Sequence, residues 1–362
     1  MGHKKLRIVI VYTLNTEANS KNIQDIAALQ DNTSAAFNIY NALISSEYQT
    51  FIHPVNKSLQ ELHTVLCKYS PIDTFVFNNC DDFESENLGA VRIVKLIESL
   101  GFGHTGPISD VIALCMNKAE TKKKLAEFGV PTPKYQIFER PEGDFFLNFP
   151  VIVKPIAEDG SLGISSNSVV TTVIDLFERI YSILRNYNQP ALVEEFISGK
   201  EIAVSILGNR RLRVLPFSEI DYSRISNPFE RLLTYDAKWI DSSLYYQNTA
   251  VICPAILDPI TERRIKKVAV QAYQVVGIRD FGRVDIRLDD NLNPYVIEVN
   301  ENPNLAPDAG FIKAGMAAGL SSAQIITKVL EIALRREKMG KYSNMSRISV
   351  VNAHKVNKSQ VS

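Results

Sequence analysis

The sequence predicts an α/β first domain built on a parallel sheet, followed by mixed α+β structure. Two β-branched runs, at 7–12 and 74–78, alternate with helix-like segments at 33–45 and 88–100, an order that is typical of parallel strands. Residues 201–207 alternate in polarity and precede a Gly-Asn turn, which indicates an antiparallel hairpin. Because 362 residues exceed one ordinary core, at roughly 150 residues per domain, we expect three domains.

Charge and composition exclude several classes of partner and location. Lys plus Arg and Asp plus Glu both total 40, so we expect no general attraction to nucleic acid or to an anionic membrane. No apolar stretch approaches the roughly 18 residues that span a bilayer. The cysteines have no CxxC pairing, which favours reduced thiols and a cytoplasmic location; they are Cys67, Cys80, Cys115 and Cys253.

Loops after the first predicted strands are candidate substrate contacts, since parallel sheets bind ligands at the carboxyl ends of their strands. The loop after Tyr12 carries Glu17, and the loop after Phe77 carries the sequence NNCDDF. Ordinary polar loops have the same composition, so both interpretations stay open.

A helix is predicted at 118–128, where Asn117 can cap the start and Gly129 ends the helix. Lys118 is its first residue. The lysine run from Lys122 to Lys124 is interpreted as a solvated face of this helix.

Strands are predicted at 151–154 and 191–197, with a helix near 173–186 between them. The first strand ends in Lys154 and leads into a loop with two glycines and Ser161, which can fold over an anionic ligand and donate backbone N–H groups. This loop does not match the GxxxxGK[ST] pattern. Carboxylates near the end of the second strand can accept hydrogen bonds from adenine and ribose, or can form an ordinary solvated strand end; they are Glu194, Glu195 and Glu201.

The last third of the chain begins with an irregular stretch at 218–250, whose length favours an active-site lid. Amphipathic helices are predicted at 261–276 and 321–336 from the spacing of their apolar residues. From 337 onward the chain is polar and is interpreted as a flexible tail.

Residues 283–300 predict a hairpin, because two alternating runs flank the turn-forming sequence DDNLNP. Pairing Leu288 with Tyr295 sets the register. In this register Asp285 lies opposite Glu298, and Arg283 lies opposite Asn300. The predicted buried face of the second strand consists of Tyr295, Ile297 and Val299.

Asp285, Glu298 and Asn300 form a candidate magnesium site on this hairpin. Two directly opposed carboxylates repel each other unless a cation lies between them. Mg²⁺ takes oxygen ligands and is held by one or two protein carboxylates together with substrate phosphates. The same residues also fit a surface hairpin whose acids pair with Arg283 and Arg287.

Taken in order, several motifs resemble the D-alanine–D-alanine ligase branch of the ATP-grasp superfamily: Lys118, the glycine loop after Lys154, EEFISGKE, YDAKW, FGRVDIRL and VIEVNENP. The resemblance runs from about Gly101 to Leu334, and the residues before it match in layout alone. It implies a three-domain ATP-grasp fold that holds ATP between the second and third domains. The implied bounds are 1–108 for the N-terminal α/β domain, 109–197 for the central ATP-grasp subdomain, 198–336 for the C-terminal subdomain with a lid at about 218–250 and a metal hairpin at 283–300, and 337–362 for a polar tail.

The resemblance also implies roles for the matching residues. Those implied to bind ATP are Lys118, Lys154 and Lys238 at the phosphates, Glu194 and the backbone near Ile197 at adenine, and Glu201 at ribose. Glu195 is a further candidate for binding the cofactor. Those implied to bind two Mg²⁺ ions, which Mn²⁺ could replace, are Asp285, Glu298 and Asn300. Those implied to be catalytic are Arg283, which stabilises a tetrahedral intermediate, Lys238 and Ser161.

The implied reaction forms a C–N bond at the expense of ATP. A substrate carboxylate attacks the γ-phosphate to give an acyl phosphate or another phosphorylated oxygen, whose charge the cations spread. An amine then displaces phosphate, and no protein nucleophile is needed. The expected partners are an amino acid and a second small substrate. Members of the family commonly form homodimers, so a homodimer is expected here too.

Several positions depart from the family pattern. Gly160 replaces the serine of a Tyr–Ser–Glu hydrogen-bond triad and Trp239 replaces its tyrosine, so that triad cannot form. Residues 301–304 replace a Thr/Ser-Ser-Pro-Gly turn, and the positions of the family's serine–leucine pair fall near Ala309 and Gly310, so both residues of that pair are missing. The HGxxGE pattern of the first domain is absent, with NNCDDF in its place.

These departures predict that D-Ala–D-Ala is not the product, because a pocket that loses its hydroxyl donors loses affinity for the ligand they paired. A biosynthetic ligase of the dipeptide, antibiotic or mycosporine type is the preferred interpretation. The candidate substrate contacts are Glu17, Asn304 and Asp308. Two alternatives stay open: a true D-alanine–D-alanine ligase of peptidoglycan synthesis, and a non-catalytic ATP-binding protein, which would have no need of Arg283.

Overall fold

A parallel four-stranded sheet forms the N-terminal part of the chain. The computed structural model describes residues 6–14, 23–45, 48–55, 58–80 and 89–338. The strands are β1 (Arg7–Thr13), β2 (Gln49–Val55), β3 (Thr74–Asn79) and β4 (Gly103–His104), in the order β2-β1-β3-β4. Their pairings are all parallel, which confirms the predicted α/β first domain.

Alternate residues of β1 pack on opposite faces of this sheet. Ile8 and Ile10 join a core with α1 (Ile23–Ile44), and the C-terminal helix of the described chain completes that core. Val9 and Val11 join a second core with α2 (Leu59–Leu66) and α3 (Gly89–Ser99). The first and last helices therefore lie on the same side of the sheet.

An antiparallel four-stranded sheet follows in the centre of the chain. Helices α4 (Ser109–Met116) and α5 (Lys118–Glu127) precede it, and the Asn117 side chain accepts hydrogen bonds from the first turn of α5 as predicted. Its strands are β5 (Tyr135–Phe138), β6 (Val151–Pro155), β7 (Val169–Val170) and β8 (Ala191–Glu195), in the order β5-β8-β6-β7. Helix α6 (Val173–Tyr187) packs on this sheet. The strand predicted at 191–197 ends at Glu195, so Ile197 lies beyond it.

The third sheet has six strands and carries the predicted hairpin. They are β9 (Glu201–Leu207), β10 (Arg213–Val214), β11 (Ser218–Asp221), β12 (Ala250–Ile252), β13 (Phe281–Leu288) and β14 (Pro294–Asn300). The order is β12-β11-β9-β13-β14, with β10 pairing to β9. The helices of this part are α7 (Tyr235–Trp239), α8 (Leu244–Gln247), α9 (Pro259–Val276), α10 (Gly310–Ala317) and α11 (Ser322–Lys338). Apolar residues of α9 pack against β9, β13 and β14.

A β-bulge corrects the predicted register of the hairpin. Asp285 opposes Glu298 as predicted, but Leu288 pairs with Pro294 and not with Tyr295. The pairing shifts between Asp285 and Ile286, which leaves Ile297 as the extra residue of β14. Because an inserted residue resets the alternation, the predicted buried face of β14 is wrong in part. Val299 is buried as predicted, but it is joined by Val296, whereas Tyr295 and Ile297 are only partly buried.

The predicted irregular stretch at 218–250 is also partly wrong. Its two ends are strands, because β11 and β12 pair with each other at the edge of the third sheet. The two short helices α7 and α8 lie between them, so the segment that covers the sheet is anchored on both sides.

The C-terminal helix extends beyond its predicted end, because α11 continues to Lys338 and includes the first two residues of the predicted tail. The remainder of that tail, Glu17, and Asp81 to Phe83 of the NNCDDF sequence lie outside the described residues. The domain bounds remain predictions. Within the described part of the chain, no single helix is long and apolar enough to cross a membrane, and only the bent pair α10 and α11 passes that test together.

Candidate active site

Arg283 and Asp285 form a bidentate ion pair on β13. The Nε of Arg283 lies 2.7 Å from Asp285 Oδ1, and its Nη2 lies 2.8 Å from Oδ2. Asn300, opposite Arg283 on β14, donates from Nδ2 to the same Oδ2 at 2.9 Å. The carboxylate of Asp285 is therefore compensated by groups that the hairpin itself supplies.

Lys118 compensates the second carboxylate of the hairpin. Its Nζ lies 2.8 Å from Glu298 Oε1 and 3.2 Å from Asp159 Oδ1, and it donates to the Glu158 carbonyl at 2.6 Å. Burial would raise the pKa of Glu298, but Lys118, together with Lys154 and Arg283, lowers it to about 2. The Lys118 ammonium group therefore joins the start of α5 to both the glycine loop and the hairpin.

Glu194 bridges two buried lysines. Its Oε1 lies 3.0 Å from Lys154 Nζ, and its Oε2 lies 3.3 Å from Lys122 Nζ. All three side chains are buried, and Lys122 also donates to Thr132 Oγ1 at 2.9 Å. Burial would raise the pKa of Glu194, but the two lysines hold it below its ordinary value.

The interpretation of Lys122 as part of a solvated face is therefore wrong. Burial lowers its pKa from 10.5 to about 8, although the charge of Glu194 opposes that shift. The sequence contained a usable signal, because residues four apart lie on the same helix face. Lys118 and Lys122 have that spacing, so a helix that directs Lys118 into the cleft directs Lys122 there too.

Glu201, the predicted ribose acceptor, starts β9. Its Oε2 accepts a hydrogen bond from the Tyr222 hydroxyl at 2.9 Å and lies 3.4 Å from Arg287 Nη1. Burial raises the pKa of Glu201, and Arg287 opposes that shift. Glu195, predicted to bind the cofactor, is partly buried, and its Oε1 lies 4.0 Å from Lys134 Nζ.

Arg287 is a site residue that the sequence interpretation missed. Its side chain is 4% exposed, and its guanidinium lies 4.8 Å from the centre of the Phe196 ring. It donates to the carbonyls of Gly199 at 3.1 Å and Arg231 at 2.9 Å. The alternative of a surface hairpin whose acids pair with both arginines holds only in part. Arg283 pairs with Asp285 as that alternative expects, but Arg287 pairs with Glu201.

The predicted lid, at about 218–250, is joined to the glycine loop. Trp239 Nε1 donates to the Gly160 carbonyl at 3.0 Å, and the N–H of Tyr235 donates to the Ile164 carbonyl at 3.1 Å. Ser161 has φ of 67° and follows Gly160 in the same tight turn. Gly160 and Trp239 replace two members of the family's hydroxyl triad. They are joined instead by this hydrogen bond from the indole to the carbonyl.

Lys238 projects from α7 of the lid, beside Trp239. Its Nζ lies 4.9 Å from the centre of the Trp239 ring. Burial lowers the pKa of Lys238, the charge of Arg283 lowers it further, and Glu298 and Asp285 oppose both. The lid lysine therefore shares one electrostatic environment with the hairpin residues.

A cavity of about 1180 Å³ lies between the lid, the third sheet and the start of α10. It is lined by Lys238, Arg283 and Asp285 of the groups above, and by the predicted substrate contact Asp308. Asn304 is not among the described residues that line it. Its Oδ1 accepts from the Ala306 N–H at 2.6 Å, as in a turn.

The donor set of the hairpin fits Mg²⁺. The described residues contain no group of three or more His, Cys, Asp or Glu side chains that could hold a metal ion. The hairpin offers two carboxylates and one amide as oxygen ligands. Mg²⁺ is commonly held by one or two protein carboxylates together with nucleotide phosphates, and the neighbouring lysines could bind the same phosphates. Asp285, Glu298 and Asn300 are the residues that would hold it.

Comparisons with known proteins agree on one family. The family model of the D-ala D-ala ligase C-terminus matches residues 125–331. The chain is 32% identical over 308 residues to uncharacterized protein y4sG of Sinorhizobium fredii, covering 83% of this chain and 88% of that protein. It is 30% identical to the D-alanine–D-alanine ligase of Hydrogenovibrio crunogenus, over 68% of this chain and 74% of that enzyme.

Solved structures share the fold. The D-alanine–D-alanine ligase of Bacillus anthracis complexed with ATP superimposes with a TM-score of 0.70 at 20% identity, covering 92% of this chain and 99% of that one. The VanG D-Ala:D-Ser ligase of Enterococcus faecalis gives 0.69 at 20% identity, covering 91% and 100%. Among the residues described, the likeness therefore extends over all three sheets.

Proposed function

The chain belongs to the D-alanine–D-alanine ligase family of the ATP-grasp superfamily, and we propose that it joins a small carboxylate to an amine other than D-alanine. The observation that carries this proposal is the paired arrangement at the hairpin. Lys118 lies 2.8 Å from Glu298, and Arg283 holds Asp285 through two hydrogen bonds. Cations and carboxylates thus neutralise each other where ATP and metal would arrive.

Nucleotide binding would exchange these partners. The phosphates of ATP would draw Lys118 and Lys154 away from their carboxylates, while Asp285, Glu298 and Asn300 would hold Mg²⁺. Magnesium would neutralise phosphate charge and so make the γ-phosphorus easier to attack. Glu194 would then keep Lys122 as its buried counter-charge, because Lys122 lies on its other oxygen.

The proposed reaction has two bond exchanges. A substrate carboxylate oxygen bonds to the γ-phosphorus as the bond to ADP breaks, which gives an acyl phosphate. A neutral amine nitrogen then bonds to the acyl carbon, phosphate leaves with the electron pair of the broken C–O bond, and the nitrogen loses a proton. Arg283 and Lys238 line the cavity where negative charge develops on the acyl oxygen.

The start of α10 lacks the serine hydroxyl that a D-alanine pocket would use there. Helix α10 begins at Gly310, and its N-cap is Ala309, which has no side-chain hydrogen bond to the helix. The free N–H groups of that first turn can still receive a carboxylate. An acceptor carboxylate would therefore be bound by backbone and Arg283, without a serine, as part of a dipeptide or natural-product pathway.

D-alanine–D-alanine ligation is the second candidate. It is favoured by several relatives that are D-alanine–D-alanine ligases, such as the Hydrogenovibrio crunogenus enzyme at 30% identity. The test is phosphate release from ATP and Mg²⁺ with single amino acids and pairs, followed by mass spectrometry of the products. A product other than D-Ala–D-Ala supports the proposal. The D-alanine dipeptide as main product would replace it with the second candidate.

Location and assembly are part of the proposal. The four cysteines are free, which supports a reducing compartment such as the cytoplasm. A homodimer is proposed because members of the family commonly form one. Light scattering, which measures the mass of the protein in solution, tests this.

A further inference from the structure

The first half of the glycine loop bonds to groups of the proposed ATP site. Lys118 Nζ donates to the Glu158 carbonyl at 2.6 Å, and Trp239 Nε1 donates to the Gly160 carbonyl at 3.0 Å. We expect both contacts to change when ATP binds, because Lys118 would turn to the phosphates and Trp239 lies on the predicted lid. A defined position of the loop over a nucleotide therefore needs a support outside the site.

The second half of the loop is held from α6. Arg179 Nη2 donates to the Gly163 carbonyl and, at 3.1 Å, to Ser168 Oγ. Ser168 is fully buried, and its Oγ also accepts a hydrogen bond from the Ser165 N–H at 2.9 Å. One guanidinium thus joins both ends of the segment from Gly163 to Ser168 to a helix that packs on the central sheet.

The backbone at Gly163 is closely packed where Arg179 binds it. Gly163 has φ of 74°, and a Cβ there would lie 2.5 Å from Pro155 Cγ and 3.2 Å from Tyr187 Cζ. Pro155 follows Lys154 in β6, and Tyr187 ends α6. The loop therefore passes between the strand that carries a proposed phosphate ligand and the helix that carries Arg179.

Arg179 has no anionic partner. Its two acceptors are a carbonyl and a hydroxyl, and burial lowers its pKa. Among the residues that the structure describes, no carboxylate forms an ion pair with it, and its buried Nε has no hydrogen-bond partner. A partly buried charge without a counter-ion costs free energy, and an anion in the nearby loop would reduce that cost.

We propose that Arg179 is a positioning residue for ATP, which fixes the second half of the glycine loop so that the first half can close over the phosphates. This inference rests on the proposed ligase function, in which that loop binds the phosphates. Arg179 acts through Gly163 and Ser168 and does not touch the nucleotide. Binding of the phosphates therefore depends on Arg179, whereas the contacts proposed for adenine and ribose, at Glu194 and Glu201, do not.

ATP and adenosine test this directly, because adenosine has the base and the sugar without the phosphates. Arg179→Met removes the donors and keeps an unbranched side chain. We expect the dissociation constant of the full chain for ATP with Mg²⁺ to rise roughly tenfold or more, the equivalent of one lost hydrogen bond from a charged group. The dissociation constant for adenosine should stay at its wild-type value. Calorimetric titration measures both, and equal weakening of the two ligands, or unchanged binding of ATP, would overturn the proposal.

Further variants separate positioning from folding. Arg185→Met, at an exposed position of the same helix, is the matched control and should bind both ligands normally. Arg179→Lys keeps a charged donor and should recover part of the ATP affinity. Should the melting temperature show that Arg179→Met does not fold, Ser168→Ala removes one of the two acceptors instead and should show the same selective loss for ATP. Equal loss for ATP and adenosine in that variant would likewise overturn the proposal.

Phosphate release separates this inference from the proposed function. Release by the wild-type chain, together with equal weakening of ATP and adenosine in Arg179→Met, would overturn the positioning role and leave the ligase in place. A selective loss of ATP binding in Arg179→Met, without phosphate release by the wild-type chain from any substrate pair, would support the positioning role and overturn the ligase.

Discussion

The indole Nε1 of Trp239 donates a hydrogen bond to the carbonyl oxygen of Gly160 across 3.0 Å, which joins the lid to the glycine loop. In the proposed site both elements would cover the ATP phosphates, so we expect this bond to favour a closed arrangement of the predicted lid. A neutral hydrogen bond of this kind contributes about 0.5–1.5 kcal/mol.

Trp239→Phe keeps an aromatic ring beside Lys238 and removes the donor. We expect kcat/KM for ATP to fall roughly two- to tenfold, since that is the rate equivalent of one such bond. Steady-state phosphate release measures it, with the melting temperature as a check of folding. Wild-type kinetics in this variant would show that the bond does not contribute to closure.

Asp285→Asn and Glu298→Gln each remove one negative charge from the proposed magnesium site. We expect turnover to fall by at least about a hundredfold, because metal stabilisation of transferring phosphate amounts to several kcal/mol. Raising the Mg²⁺ concentration should recover part of it. The exposed change Glu262→Gln serves as the control, and full activity in both hairpin variants would contradict the metal assignment.

Lys122→Met should change how stability depends on pH. Since burial lowers the pKa of Lys122 from 10.5 to about 8, the unfolded chain binds more protons than the folded chain between those values. Wild-type stability should therefore rise relative to the variant, by on the order of 3 kcal/mol, as pH increases through that window. Urea unfolding at several pH values measures this, and a constant difference would refute it.

Arg287→Lys keeps the positive charge but loses the planar group that lies over Phe196 and bonds two carbonyls. Hydrogen bonds from a charged group contribute about 1.5–3 kcal/mol, so we expect the dissociation constant for ATP to rise roughly tenfold or more. Equilibrium binding of a fluorescent ATP analogue measures it. Arg213→Lys, at an exposed position of β10, is the control that should bind normally.

Local sequence patterns predicted most of the secondary structure and part of the site. Alternation placed Asp285 opposite Glu298, and the cap and stop residues bounded α5, because each of these depends on neighbours within a few residues. The spacing of Lys118 and Lys122 was equally local and held information that the interpretation of a solvated face did not use. Motif order alone predicted the family to which the chain belongs.

Tertiary structure decided the rest, because the deciding partners are distant in sequence. The bulge at Ile297 depends on how β14 pairs with β13, and β12 is a strand only because it pairs with β11. Burial, which no local pattern encodes, lowers the pKa of Lys122 to about 8, and the charge of Glu194, seventy-two positions away, opposes that shift. Asp241 and Asp308 likewise line one cavity only in the folded chain, because no periodicity connects two such separate elements.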